Sequence, residues 1–174
     1  MQNNFSYPLK LEDMSSKGQH FTIDATEGEL RFIADVLKVP QVKSFHAEMD
    51  VIYNKPSHQV RVSGHLKVLV EQISVISLKK FNHPYKVEFS RLYDTQMTLA
   101  QQRELEDFDD INAEIPDVME NSSLDLKAIS LEALALELDD FPRQKGEQFD
   151  YTPDFDPSND KPENPFAVLK KLKK

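Results

Sequence analysis

The chain has 174 residues, 39% hydrophobic and 29% charged, with 4 Gly, no Cys and a net charge of −9. Globular chains run about 45–50% apolar counting Gly and about 25% charged, so part of this chain is expected to stay outside a packed core. The absence of Cys excludes a disulfide scaffold, a thiolate zinc site and a cysteine nucleophile, and no apolar run approaches the ~20 residues that cross a bilayer.

The N-terminus, Met1-Gln2-Asn3-Asn4, has neither the basic start nor the apolar stretch of a signal peptide, so a cytoplasmic protein is expected. Phe5, Tyr7, Leu9 and Leu11 alternate with polar or Pro neighbours and predict a short strand. Phe21 and Ile23 predict a second, over 19–25. Thr26-Glu27-Gly28-Glu29 then has the spacing of a capping box. Leu30, Ile33, Ala34 and Leu37 follow on one helical face, and Pro40 ends it, so a helix is predicted at 27–38.

The next pattern is stronger. Phe45, Ala47, Met49, Val51 and Tyr53 alternate with Ser44, His46, Glu48 and Asp50. Val60, Val62, Gly64, Leu66, Val68 and Val70 alternate with Arg61, Ser63, His65 and Lys67. Period two on both sides of Asn54-Lys55-Pro56-Ser57 predicts a hairpin of half-buried strands. Pairing Tyr53 with His58 sets Val51 against Val60, Met49 against Val62, Phe45 against Leu66 and Asp50 against Arg61. In that register His46 faces His65, yet no third ligand stands at a useful spacing, so no metal and no other cofactor is expected. Tyr85, Val87, Phe89 and Tyr93 predict a third strand after a turn around Asn82-His83-Pro84.

Charge then changes sign along the chain. Residues 1–97 carry 12 Lys/Arg and 11 Asp/Glu, residues 98–163 carry 5 and 19, and residues 164–174 carry 4 Lys and no acid. The acidic insert at about 98–122, with Leu105, Phe108 and Ile111 embedded in it, reads as a solvated strip or a surface for a basic partner. Leu126, Ile129, Ala133, Leu134, Leu136 and Leu138 predict a late helix at 126–138 that docks on the sheet. Residues 141–163 lose periodicity and read as a flexible acidic linker. In the terminal segment 164–174, Asn164 and Pro165 can start two helical turns. Its Phe166, Leu169 and Leu172 suit a groove on a partner, and Lys170, Lys171, Lys173 and Lys174 suit phosphates; the alternative is that the segment packs on its own domain. The expected fold is therefore α+β: a mostly antiparallel sheet with a helix on one face over 1–140, followed by a linker and a short basic docking motif.

Three features together resemble the YceD family of bacteria and plastids, named for a role in large-subunit ribosomal RNA accumulation. They are the order of elements, the ending Asn164-Pro165-Phe166-Ala167-Val168-Leu169-Lys170-Lys171-Leu172-Lys173, and the segment Ser74-Val75-Ile76-Ser77-Leu78-Lys79-Lys80-Phe81. Ser74 and Ser77 stand where members of that family often carry a Cys-x-x-Cys pair, and hydroxyls are poor zinc ligands beside thiolates. The resemblance implies a non-enzymatic factor in synthesis, processing or stability of large-subunit ribosomal RNA. The implied partner is a large-subunit precursor, through its RNA or a ribosomal protein, with no membrane and no DNA. Arg61, His65 and Lys67 on the hairpin, with the terminal lysines, are then the RNA candidates. Two other classes compete. One is a general interaction adaptor unrelated to the ribosome. The other is a hydrolase with Ser74 or Ser77 as nucleophile, which needs a base such as His65 or His83 within hydrogen-bond reach.

Overall fold

A computed structural model describes residues 5–14, 17–106, 114–119 and 123–148. The elements in chain order are β1 (Pro8–Lys10), β2 (Gln19–Asp24), α1 (Glu27–Leu37), β3 (Gln41–Asn54), β4 (Gln59–Ile73), β5 (Lys80–Asp94), α2 (Leu99–Glu106), β6 (Asp117–Val118), β7 (Ser123–Asp125) and α3 (Leu126–Glu137). The fold is α+β. One sheet has the order β2-β3-β4-β5-β6, antiparallel except for the short β5–β6 pairing, and β1 pairs with β7 in a second sheet. These elements belong to one unit that ends at Gln144. Of a second unit starting at Lys145, the described residues form a turn with Gly146 at φ 92°.

Period two in β3, β4 and β5 sorts their side chains cleanly. Phe45, Ala47, Met49, Val51, Val60, Val62, Leu66, Val68, Val70, Tyr85 and Val87 are buried on one face. At about 1.5–3 kcal/mol for each fully buried large aliphatic side chain, this face is the main source of stability. Helix α1 packs Ile33 and Ala34 toward it, and α3 packs Leu126, Ile129, Ala133 and Leu134. The capping box forms as the spacing predicts: Glu29 N–H donates to Thr26 Oγ1, and Thr26 N–H donates to Glu29 Oε2 at 2.9 Å. The late helix also forms, but Leu136 points to solvent.

The hairpin register differs from the expected one by two residues. Tyr53 pairs with Val60, Met49 with Gly64, Ala47 with Leu66, and Phe45 with Val68. The cause is the loop. Lys55–Ser57 makes a single 3-10 turn and His58 takes φ 58°, so the strands close at Asn54 and Gln59. A slip of two keeps every side chain on its expected face, whereas a slip of one would invert them all. It also separates the expected pairs. Asp50 faces Ser63, Arg61 faces Ile52, His46 faces Lys67, and His65 faces Glu48. A bulge at Lys43 shifts parity and brings Val42 into the core beside Phe45.

The turn before β5 is also earlier than predicted. The strand starts at Lys80, with Asn82, His83 and Pro84 inside it, and the chain reverses at 74–79. Pro84 is tolerated because β5 has a described neighbour on its far side only at Tyr93 and Asp94. Ser74 anchors the turn: its N–H donates to Lys79 O at 2.9 Å and its carbonyl accepts from Leu78 N–H at 2.9 Å.

The N-terminal strand is shorter than the predicted alternation. Only Pro8–Lys10 pair, with Asp125, Leu124 and Ser123, while Leu11 enters a 3-10 turn. Phe5 is buried edge-on against Phe45, with ring centroids 5.3 Å apart. Asp125 ties this strand to α3. Its carboxylate accepts from Lys127 and Ala128 N–H at the helix start, and from Tyr7 N–H and Ser6 Oγ. Lys127 is bonded to Glu29 of α1 and lies 5.1 Å from the Phe5 ring centroid, so one side chain joins both helices and the N-terminus.

Two outcomes follow for stability. A methyl group at Gly64 would collide with the Glu48 carbonyl and come within 2.8 Å of Met49 Cγ, so Gly64→Ala is expected to cost about 1–3 kcal/mol in urea unfolding. Burial pushes the Glu29 carboxyl up, but the bonds from Lys127 and Thr26 outweigh it and hold it below the ordinary 4.5. A depressed folded pKa contributes stability above the unfolded value that is lost as pH falls through the folded one. Glu29→Gln is therefore expected to destabilise at neutral pH and to flatten the acid limb of the stability–pH curve, measured by urea titration at several pH values.

Candidate functional site

The opposite face of the sheet carries polar and charged side chains in lateral rows. One row runs Asp24, His46, Lys67, Lys86 across β2 to β5. The next runs Thr22, Glu48, His65, Glu88, and the third His20, Asp50, Ser63, Ser90. Helices α1 and α3 pack on the other side, and the second and third rows border a shallow trough of about 490 Å³ that takes in Ser63, Gly64 and His65.

Three acid–histidine contacts cross the strands. His20 Nδ1 lies 2.9 Å from Asp50, His46 Nδ1 lies 2.7 Å from Asp24, and His65 Nε2 lies 2.5 Å from Glu48. His46 Nε2 is also 3.7 Å from Glu48, so two histidines share that carboxylate. The hydrogen bond from His65 holds Glu48 below its usual range, with smaller help from the charges of His46 and Lys67. Among the described residues no three His, Asp or Glu are grouped to hold a metal ion.

The sequence-derived candidates separate on this framework. Arg61 is engaged. Its two terminal nitrogens each donate to an oxygen of Glu114 at 2.8 Å, and Nη1 also donates to Ser90. This fork raises the Arg61 pKa and lowers that of Glu114. His65 is occupied by Glu48. Lys67 is exposed, with Lys86 directly opposite on β5. Phe166, Leu169, Lys170, Lys171, Leu172, Lys173 and Lys174 lie outside the described residues. So do Phe108 and Ile111 of the acidic insert, whereas Leu105 lies on α2, exposed.

Ser74 is fully buried, and its Oγ accepts from the N–H groups of Ile76 and Ser77. Ser77 Oγ accepts from Lys79 N–H. The two bases considered for them are engaged elsewhere: His65 with Glu48, and His83 between the rings of Phe81 and Tyr85 at 6.4 and 4.6 Å.

Sequence reading missed α2, although Thr98 and Gln101 carry a capping-box signature and bond each other reciprocally at the helix start. It also missed Glu114 as the partner of Arg61, because the contact spans 53 positions and follows no periodicity.

A family model described as "Large ribosomal RNA subunit accumulation protein YceD" matches residues 62–173. The chain belongs to the YceD family. The match begins in β4, takes in the Ser74–Ser77 turn, and reaches through the acidic region to the terminal lysines. The YceD description places the chain in the context of large ribosomal RNA accumulation. No curated protein and no solved structure matches it. No described helix is long and apolar enough to cross a membrane.

Proposed function

We propose that the protein is a non-enzymatic factor that supports synthesis, processing or stability of large-subunit ribosomal RNA in the cytoplasm, through contact with a large-subunit precursor. The observation that carries this reading is the YceD match over 62–173, which includes the terminal motif from Asn164 to Lys173. Charge supports a division of labour. The acidic stretch repels phosphate and suits a basic protein surface, while the terminal lysines suit RNA. Phe166, Leu169 and Leu172 recur every three residues and supply the apolar anchor of the docking segment. Eleven residues are below the ~12–15 at which an isolated helix is even marginal in water, so a helix there needs a surface to dock on.

The test is sedimentation of cell extract expressing either the full chain or the chain lacking 164–174. The full chain is expected in large-subunit precursor fractions and the truncated chain at the top of the gradient, with the melting temperature recorded as a control for folding. Phe166→Ala is expected to cause most of the loss, as a buried aromatic commonly dominates a small interface. Equal co-sedimentation of both chains contradicts the docking role. Absence of the full chain from precursor fractions contradicts the ribosomal reading.

A further inference from the structure

We propose that Lys67 and Lys86, flanked by His46 in the same row, form a binding site for the phosphodiester backbone of RNA on the sheet face opposite α1 and α3. The inference rests on the ribosomal RNA reading and adds a contact point within the folded unit, separate from the terminal segment.

The first argument is an unfavourable arrangement. Lys67 and Lys86 are directly opposed on adjacent antiparallel strands. Opposed side chains on one sheet face start about 4.5–5.5 Å apart at Cβ, and like charges there destabilise the pair. Both lysines are exposed. The second argument is the state of their neighbours. Asp24 contacts His46, Glu48 contacts His65, and Asp50 contacts His20. Glu71 holds Lys43 and Lys80, and Glu114 holds Arg61. Of the nearby carboxylates only Glu88, two residues along β5, makes no ion pair among the described residues, and it stands opposite His65 rather than a lysine. Lys67 and Lys86 are therefore the cations of this face that make no close ion pair among the described residues, the Lys67 charge acting on Glu48 from further off. A phosphate placed between them relieves their repulsion, because each then faces an anion.

The neighbouring row on the other side, Ser44, Leu69 and Pro84, carries no charge, and the acid beyond it, Glu71, is paired with Lys43 and Lys80. No outer-face position of β3, β4 or β5 holds Phe, Tyr or Trp. Stacking on bases is thus not provided, and the contact is to the backbone and independent of sequence. An acidic protein segment would meet the same lysines. Phosphate is favoured because the family is tied to ribosomal RNA.

The experiment uses the full chain and a short fluorescein-labelled single-stranded RNA, with binding read by fluorescence anisotropy across a salt series. Lys67→Gln and Lys86→Gln are expected to weaken binding, and to lower the slope of log affinity against log salt by about 0.7 for each lysine replaced. Lys55→Gln at the hairpin tip is expected to leave both unchanged. The double variant is expected to melt at the same temperature as the parent or higher, since it removes a like-charge opposition. A Lys67→Arg, Lys86→Arg variant is expected to keep its affinity, which separates loss of charge from loss of fold. RNA binding by the double Gln variant equal to that of the parent overturns the proposal. So does binding of a labelled poly-glutamate peptide, but not of RNA, with the same lysine dependence. If the site fails while the full chain still co-sediments with precursors, the ribosomal reading stands and only this contact is lost. If the full chain neither binds RNA nor co-sediments, both fall.

Discussion

Three long strands laid side by side in one register govern the rest of this structure. Because β3, β4 and β5 keep period two over their lengths, their apolar side chains all emerge on one side. Burying that side requires a cover, and α1, α3 and the N-terminal residues supply it. The approach of β3 to β4 is set at Gly64, where a missing side chain lets the Glu48 carbonyl and the Met49 side chain lie close. The same alternation leaves the opposite side polar. The polar face is thus a consequence of how the core is made.

The cover is held by contacts between parts of the chain far apart in sequence. Lys127 bonds Glu29 across 98 positions and sits beside the Phe5 ring. Asp125 caps α3 and grips the N-terminal strand across 118 positions. Both charged groups of the Lys127–Glu29 pair are largely buried, so removing one leaves the other without compensation. The outer-face pairs are different in kind. They are exposed or half-exposed, and solvent screens them, so each contributes little to stability. Arg61 and Glu114 are also solvent-accessible, but their two parallel bonds make that pair the best ordered of the outer face.

Legibility in the sequence followed the range of the interaction. The capping box of α1, the apolar face of α3 except Leu136, and the faces of all three long strands are local patterns and appear as read. Register is not local. It depended on one residue, His58, entering the left-handed region, and period two alone cannot distinguish offsets that differ by two. The turn at 74–79 was obscured because Asn82-His83-Pro84 has the composition of a turn, whereas a partly unpaired edge strand admits a proline. The pairing of β1 with β7 involves three residues a side, too few to show a period. For the site, Lys67 was legible as an exposed residue on an alternating strand. Its opposition to Lys86 was not, because that depends on where β5 starts. Arg61 was legible as a cation but not as one already bound by the acidic segment.

Among the described residues Lys67 and Lys86 stand exposed on the sheet face opposite α1 and α3. Amine-reactive acylation of the purified full chain, followed by peptide mass spectrometry, tests it most directly. Lys67 and Lys86 should react at the rate of solvent-exposed lysines, while Lys127, held between Glu29 and Phe5, should be among the slowest. If Lys67 and Lys86 are instead as protected as Lys127 in the free protein, the outer face is covered, and the account of it as an open docking surface is wrong.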